Sequence, residues 1–317
     1  MTTADKRPLG WSVADGGDPT QLTGALRTIR DLGYGYAELI PDAWGIWMGG
    51  HLNPPRLTRW AQLLKPFEND LRFTMHASAA INPGQGETDD NLLRACAEAA
   101  VAVGAQTLVI HPFRQSMNTV SYTPLTEKLA REREAIQNLA ERFRPSGLRL
   151  ALETYTPPTK DEYCYAAWPE QLARQVKLID HPNVGICIDS GHLFISAQFC
   201  GFDFEEAVEL LKPQTIHTHI QDTLGQHDPT NSWLGNEPTG IGDAHLPPGF
   251  GRIPLQALAS LPDGVPLLAE LSRIKSLDLA AQVHQDLTTL ARTADITAAA
   301  EDNVTADADR VSGRVSA

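Results

Sequence analysis

The feature that most narrows the fold of this chain is a rhythm. Short apolar runs rich in branched and aromatic side chains recur along its length, separated by segments with helical periodicity. The runs are LGWSVAD (9–15), YGYAELIP (34–41), LRFTMHAS (71–78), TLVIHPF (107–113), LRLALET (148–154), VGICIDS (184–190), TIHTHIQD (215–222) and PLLAELS (266–272), eight in all. Between them, DDNLLRACAEAAVAVGA (89–105) repeats its apolar residues at three and four, and LTEKLAREREAIQNLAERF (125–143) is laced with charge pairs. Strands alternating with helices require a parallel sheet, and eight such units predict closure into an α/β (β/α)8 barrel, one domain over residues 1–294. Gly33, Gly104, and Pro145 with Gly147 stand before the second, fourth and fifth runs as helix stops. A length of 317 residues and 42% hydrophobic content are enough for one barrel of ordinary size. From residue 295 the pattern dissolves into DITAAAEDNVTADADRVSGRVSA, small and polar, which reads as a disordered tail without chemistry.

The charge balance bounds the partner. With 39 acids against 26 Lys and Arg the formal net charge is −13, which opposes attraction to a nucleic-acid backbone or an anionic membrane surface. A small-molecule substrate is expected, no nucleic acid and no membrane, and assembly into a homo-oligomer is allowed. The opening MTTADKRPLG has no apolar core, and no run approaches the roughly 18 apolar residues of a membrane span, so a cytoplasmic protein is expected. Cys96, Cys164, Cys187 and Cys200 lack CxxC spacing and read as free thiols.

In an α/β barrel the C-terminal strand ends form the active face, so polar residues there carry weight in proportion to how apolar the preceding strand is. His76, His111, Glu153, Asp189, His219 and Glu270 occupy such places, and His192 follows Asp189 by three. DAHLPPGFG (243–251) adds Asp243 and His245, which face one way if extended, ahead of two prolines and two glycines that stiffen and bend the backbone. A lone strand-end histidine is usually structural, but nine imidazoles and carboxylates on one mouth are the ligand types of Zn²⁺, or of Mn²⁺ where oxygens dominate. Unpaired carboxylates gathered there would incur desolvation costs on the order of several kcal/mol each, which divalent cations relieve. His217 faces as His219 does, one step deeper, and reads as a barrel-layer residue or a support for the site; His51, His181, His227 and His284 read as bland.

The motifs HASAAINPG (76–84), VIHP (109–112), LALET (150–154), GICIDSGH (185–192), HIQD (219–222), DAHLPPGFGRI (243–253) and LLAEL (267–271) together resemble the xylose-isomerase-like TIM barrels, which join endonuclease IV with sugar-phosphate isomerases and epimerases. The resemblance runs from about residue 9 to 290 and implies a metal site built from Glu153, Asp189, His219 and Glu270. By likeness to endonuclease IV, His76 and His111 would hold a second ion with Glu153 as bridge, and His192, Asp243 and His245 a third. One to three divalent ions per chain, Zn or Mn, are therefore implied.

Two chemistries suit such a mouth. In isomerisation or epimerisation, a metal holds neighbouring oxygens of a sugar or sugar phosphate while carboxylates move a proton beside the polarised carbonyl. Glu153 and Glu270 would then be both ligands and proton carriers, His192 would contact substrate or a third ion, and Asp222 would orient His219 from behind. Trp44 and Trp47, in the long loop PDAWGIWMGGHLNPP (41–55), would stack on a sugar face. The alternative is zinc-dependent phosphoester hydrolysis of the endonuclease IV kind, which the complete ligand set favours. Against DNA as its substrate stand the charge of −13 and Ala79 and Ala80, placed where endonuclease IV carries larger wedging residues. The characterised ketose epimerases are matched incompletely: an acid expected six residues after Glu153 is Thr159, and an arginine expected six after His219 is Gly225. Metal-dependent lyase chemistry on oxidised glycosides is a third option, below these two. The isomerase or epimerase reading is the one adopted from the sequence.

Overall fold

The computed structural model describes residues 7–118, 121–230, 238–271 and 276–292; the segment read as a tail lies outside them. The eight runs form a closed parallel barrel: β1 Leu9–Val13, β2 Tyr36–Leu39, β3 Arg72–His76, β4 Ala105–Ile110, β5 Arg149–Glu153, β6 Val184–Asp189, β7 Thr215–Ile220 and β8 Leu267–Ala269. Each strand pairs with its neighbours in sequence, and β8 returns to β1 with Leu9 opposite Leu267. Most strands stop short of the apolar runs that announced them. The residues left over at their C-terminal ends, among them Asp15, Thr154 and Asp222, leave the ladder and turn into the mouth loops. β4 instead starts early, at Ala105, immediately after Gly104 reverses the chain with φ +71°.

The helices are α1 Pro19–Leu32, α2 Pro54–Leu64, α3 Glu87–Ala102, α4 Leu125–Phe143, α5 Pro169–Ile179, α6 Ser190–Cys200 and α7 Phe204–Leu211, with residues 280–292 helical again after β8. Their ends follow local chemistry. Asp18 caps α1 by accepting from the backbone of Thr20 and Gln21, and Gly33 closes it in the left-handed region at φ 92°. The stretch 41–55 is more ordered than a plain loop: a 3-10 turn at Pro41–Trp44, a hairpin pairing Trp47–Met48 with His51–Leu52, then α2 capped by Asn53. A second small antiparallel pair joins Arg114–Ser116, after β4, to Glu162–Cys164, after β5.

Most of the core fills the layer between strands and helices. Inside the barrel a small apolar plug of Val109, Ala151 and Cys187 lies beneath polar side chains. Each plug residue is two before a strand-end ligand candidate, so the period-2 alternation that aims His111, Glu153 and Asp189 inward also builds their floor. No helix among the described residues is long and apolar enough to cross a membrane.

Helix α4 is less uniformly a charged surface helix than its sequence suggests, because Glu132 is fully buried. Its carboxylate accepts from the Phe113 amide at 2.6 Å and from Gln175 Nε2 at 2.7 Å, tying the loop after β4 to α4 and α5. Burial outweighs these hydrogen bonds and pushes the carboxyl up from 4.5 to about 7. The folded protein therefore holds this proton more tightly than the unfolded chain, and the associated stability, about 3 kcal/mol, is complete below pH 4.5 and lost as pH rises through 7. The unfolding temperature of the protein should fall between pH 5 and pH 8, and Glu132→Gln should flatten that slope in thermal scans whatever its effect on absolute stability; an unchanged slope would refute the assignment.

Candidate active site

Six strand ends deliver the side chains that the sequence placed at the mouth. His76 ends β3, His111 follows β4, Glu153 ends β5, Asp189 ends β6, His219 is the penultimate residue of β7 and Glu270 follows β8. Glu153 is the hub. Its Oε1 lies 2.9 Å from His219 Nδ1 and 3.6 Å from His192 Nδ1, and its Oε2 lies 3.3 Å from His76 Nε2 and 3.2 Å from His111 Nε2. Glu270 Oε2 reaches the same His219 Nδ1, also at 2.9 Å. Glu153, Asp189, His219 and Glu270 thus offer four ligand atoms within 4.8 Å of one another.

Asp189 also begins the next element. Its side chain caps α6 by accepting from the His192 amide at 2.7 Å, which sets His192 on the first helical turn beside the mouth. His192 Nε2 stands 3.2 Å from Asp243 Oδ2, and His245 Nε2 reaches the same oxygen at 3.0 Å. Gln221 ties the halves together: its Nε2 lies 3.1 Å from both Asp189 oxygens and 2.8 Å from Asp243 Oδ1, while its Oε1 accepts from the His245 amide at 3.0 Å. His245 adopts φ 48°, unusual for a side chain with a Cβ, so this turn is fixed by its partners rather than by its own preference.

Asp222 holds the loop that carries Asp243 and His245. Its carboxylate accepts from the amides of Thr223, Gly249, Gly251 and Ile253 at 2.8–3.1 Å. A Cβ on residue 251 would collide with Asp222 Oδ1 and the Thr223 backbone, so only glycine fits. This corrects the expectation that Asp222 orients His219. The residue behind His219 is Glu38 of β2, whose Oε1 lies 2.9 Å from His219 Nε2, close though off the line of a straight hydrogen bond. Its other oxygen takes His217 Nε2 at 3.0 Å and the Thr74 hydroxyl at 3.2 Å. Neither Glu38 nor Gln221 stands out in the sequence. Glu38 reads as the polar member of an ordinary alternating strand, and Gln221 is overshadowed by the acid beside it.

The tryptophans fare unequally. Trp44 is only 8% exposed, packed in the core with its Nε1 donated to Asp15 at 2.9 Å, so it supports the rim and leaves no free face for a sugar. Trp47 lies half-buried in the 47–52 hairpin against the core. The four histidines read as bland stand apart from the cluster: His181 pairs with Glu141, His227 packs tilted against Phe199, His284 meets Tyr34 edge-on, and His51 is exposed. Cys96, Cys164, Cys187 and Cys200 are free thiols, with burial raising Cys187 well above its ordinary value.

The donor set fits a divalent cation. Glu153, Asp189, Glu270 and Asp243 meet only imidazoles as ion-pair partners among the described residues. One imidazole nitrogen, His219 Nδ1, faces two carboxylates at hydrogen-bond distance but carries at most one proton. The protons left to do the cation's work are strained. Burial, reinforced by Asp243, Glu153 and Glu270, pushes Asp189 up to about 6 against the pull of His192. Burial disfavours charge on His76 and His245, yet Glu153 and Asp243 overcome it and raise them to about 9 and about 10. A metal ion displaces such protons and satisfies the carboxylates at once. Groups of donors also occur at His76, His111 and Glu153 and at Asp189, His192 and Asp243.

The comparisons agree with this architecture. A family model described as xylose isomerase-like TIM barrel matches residues 26–263. No curated protein sequence matches the chain. Among solved structures, a D-tagatose 3-epimerase-like protein superposes with TM-score 0.67 at 20% identity, covering 92% of this chain and 100% of its own. The IolI protein with a binding zinc atom gives 0.63 at 19% identity, covering 92% and 97%. D-psicose 3-epimerase with D-tagatose, from Clostridium cellulolyticum H10, gives 0.60 at 14%, covering 90% and 98%. At these identities the likeness to individual structures establishes the fold, and the family match covers well over half of the sequence. The chain belongs to the xylose isomerase-like TIM barrel family.

Proposed function

We propose that this protein is a divalent-metal-dependent isomerase or epimerase of a small ketose-like sugar or sugar phosphate, working at the C-terminal mouth of its barrel. The observation that carries the reading is the convergence of Glu153 and Glu270 on one nitrogen, each 2.9 Å from His219 Nδ1. Their strands bracket that of His219, with β8 on one flank of β7 and β5 beyond β6 on the other. Two carboxylates approaching one point from opposite sides suit removal of a proton from one face of a carbon and its return to the other. The structural relatives named for tagatose and psicose 3-epimerases support a sugar of that class.

Bound among Glu153, Asp189, His219 and Glu270, a Zn²⁺ or Mn²⁺ ion supplies Lewis-acid polarisation of a substrate carbonyl. The chain supplies the rest. Burial alone would neutralise Glu153 and Glu270, but His219 outweighs it and keeps both carboxyls below their ordinary range, in the ionised form a base requires. Glu270 is 14% exposed in its side chain and opens toward the mouth, whereas Glu153 is sealed at 1% and is the more constrained of the two. His192 lies against Glu153 and Asp243 and can donate to a substrate hydroxyl. Thr159 has become a turn residue that accepts from the amides of Asp161 and Glu162, and Gly225 packs under Phe194, so neither offers the substrate contact found in the ketose epimerases. A substrate differing in its outer hydroxyls follows.

The donor groups at His76, His111 and Glu153 and at Asp189, His192 and Asp243 support phosphoester hydrolysis as a second reading. Elemental analysis separates the two: about one ion per chain belongs to the epimerase, three zinc ions to the hydrolase.

Incubation of the Mn²⁺- or Zn²⁺-loaded protein with a panel of ketopentoses, ketohexoses and their phosphates in D2O should place deuterium on the carbon beside the carbonyl. Glu153→Gln and Glu270→Gln should each slow exchange by roughly 10²–10⁴-fold. Absence of exchange across the panel, with cleavage of a phosphoester instead, would overturn the epimerase. Glu38→Gln, which weakens the support behind His219 without touching the ion, should reduce metal affinity about 10–100-fold in a chelator competition, with Glu38→Asp retaining more of it; equal affinity in all three proteins would remove Glu38 from the site.

A further inference from the structure

The partner of each imidazole at the mouth shows which of its nitrogens carries the proton. His76 Nδ1 lies 2.7 Å from the Ala77 carbonyl, His192 Nδ1 2.9 Å from that of Thr154, and His245 Nδ1 3.1 Å from that of Glu270. A carbonyl only accepts, so in all three Nδ1 bears a hydrogen and Nε2 is the nitrogen turned toward the carboxylates, to which it donates until an ion displaces its proton. His219 is reversed, with Nε2 against Glu38 and Nδ1 toward Glu153 and Glu270. These four rings are oriented as metal-binding histidines are, with an acceptor behind one nitrogen and the other turned to the carboxylates of the mouth.

His111 breaks the pattern. Its Nδ1 faces Arg114 Nη1 at 3.3 Å, and a guanidinium has donors only. Nδ1 must therefore accept, and the ring's single proton sits on Nε2, 3.2 Å from Glu153 Oε2. Arg114 cannot turn away, because its Nη2 donates to the carbonyls of Ala79 and Ile81 at 2.7 Å each, Nη1 also reaches the Tyr155 hydroxyl at 3.4 Å, and Nε lies 3.7 Å from Glu162. The guanidinium does not lose its proton in proteins, so the constraint persists at every working pH.

We infer that His111 is a hydrogen-bond donor to Glu153, held in that tautomer by Arg114 as a positioning residue, and that it is not a metal ligand. The group His76, His111 and Glu153 then lacks a ligand for an ion of its own. Glu153 Oε2 then faces the His111 N–H as well as His76 Nε2, and Oε1 is the oxygen turned to His219 Nδ1. This rests on the metal-site reading above, but its tests use no substrate, so they succeed or fail apart from the epimerase assay.

The first test is zinc content at saturation followed by dialysis, read by elemental analysis. His111→Ala should retain the same number of equivalents as the wild type; loss of one equivalent, or three in the wild type, would overturn the inference. The second uses long-range proton–nitrogen spectra of the histidine side chains, with His111 identified by the signal missing in His111→Ala, or by its response to Arg114→Met should that variant not fold. In the wild type His111 should show a protonated Nε2 and an unprotonated Nδ1 with and without zinc, and Arg114→Met should mix the two tautomers. Loss of the Nε2 proton on adding zinc, or a tautomer indifferent to Arg114→Met, would refute it.

Discussion

A single buried carboxylate organises this molecule. Glu153 has no contact with water to speak of and no lysine or arginine as ion-pair partner among the described residues; His76, His111, His192 and His219 surround it instead. Keeping a charge in such a place is costly unless every lone pair is satisfied. The barrel meets this by bringing four strand ends and the first turn of α6 to one point. The period of two along each strand turns ligand candidates inward, and the residues two steps earlier form the dry plug of Val109, Ala151 and Cys187 beneath them. The site is thus the upper part of the barrel interior, inseparable from the fold.

Around that hub, single residues serve two ends. Asp189 is both a member of the candidate cation-binding group and the cap of α6, so the geometry that starts the helix also fixes one oxygen at the mouth. Asp222, one residue past Gln221, gives its whole carboxylate to the amides of Thr223, Gly249, Gly251 and Ile253, while Gln221 bridges Asp189 and Asp243. Asp243 and His245 are therefore positioned over the barrel by contacts within the chain. Pre-organisation of this kind removes the ordering cost from the moment of binding.

What sequence could reveal follows from the same physics. Strands and their terminal residues were legible because an apolar run that ends abruptly in His, Glu or Asp suits few places in a fold besides a barrel mouth. His76, His111, Glu153, Asp189, His219 and Glu270 all converge as their positions required. DAHLPPGFG was legible as a bent arm aimed at the mouth. The supports were not. Glu38 sits in YAEL, a strand like any other, and only closure of the barrel brings β2 opposite β7, so its contact with His217 and His219 is invisible in one dimension. Asp222 looks like a partner for His219 because it follows so closely, yet its side chain leaves the barrel interior and turns to the loop. Trp44 looks free to stack on a sugar until Asp15, 29 residues earlier, is seen to draw its indole into the rim. Local pattern reports what a strand presents; it does not report what stands behind.

That same distinction governs how many ions the mouth can hold. Distance alone groups His76, His111 and Glu153 with the other donor sets. Charge separates them. An ion on His111 Nε2 would stand roughly 7 Å from the Arg114 guanidinium, where a divalent and a monovalent cation repel by about 5 kcal/mol at an effective dielectric of 20. An ion among Glu153, Asp189, His219 and Glu270 meets three carboxylates and a nitrogen turned toward it, with no fixed cation of the chain paired to any of them among the described residues. The fixed guanidinium thus acts through the ring: it holds His111 Nδ1 as an acceptor and turns the Nε2 proton toward Glu153. The epimerase we propose needs only that one ion, whereas the several cations of phosphoester hydrolysis would call on His111 as a ligand.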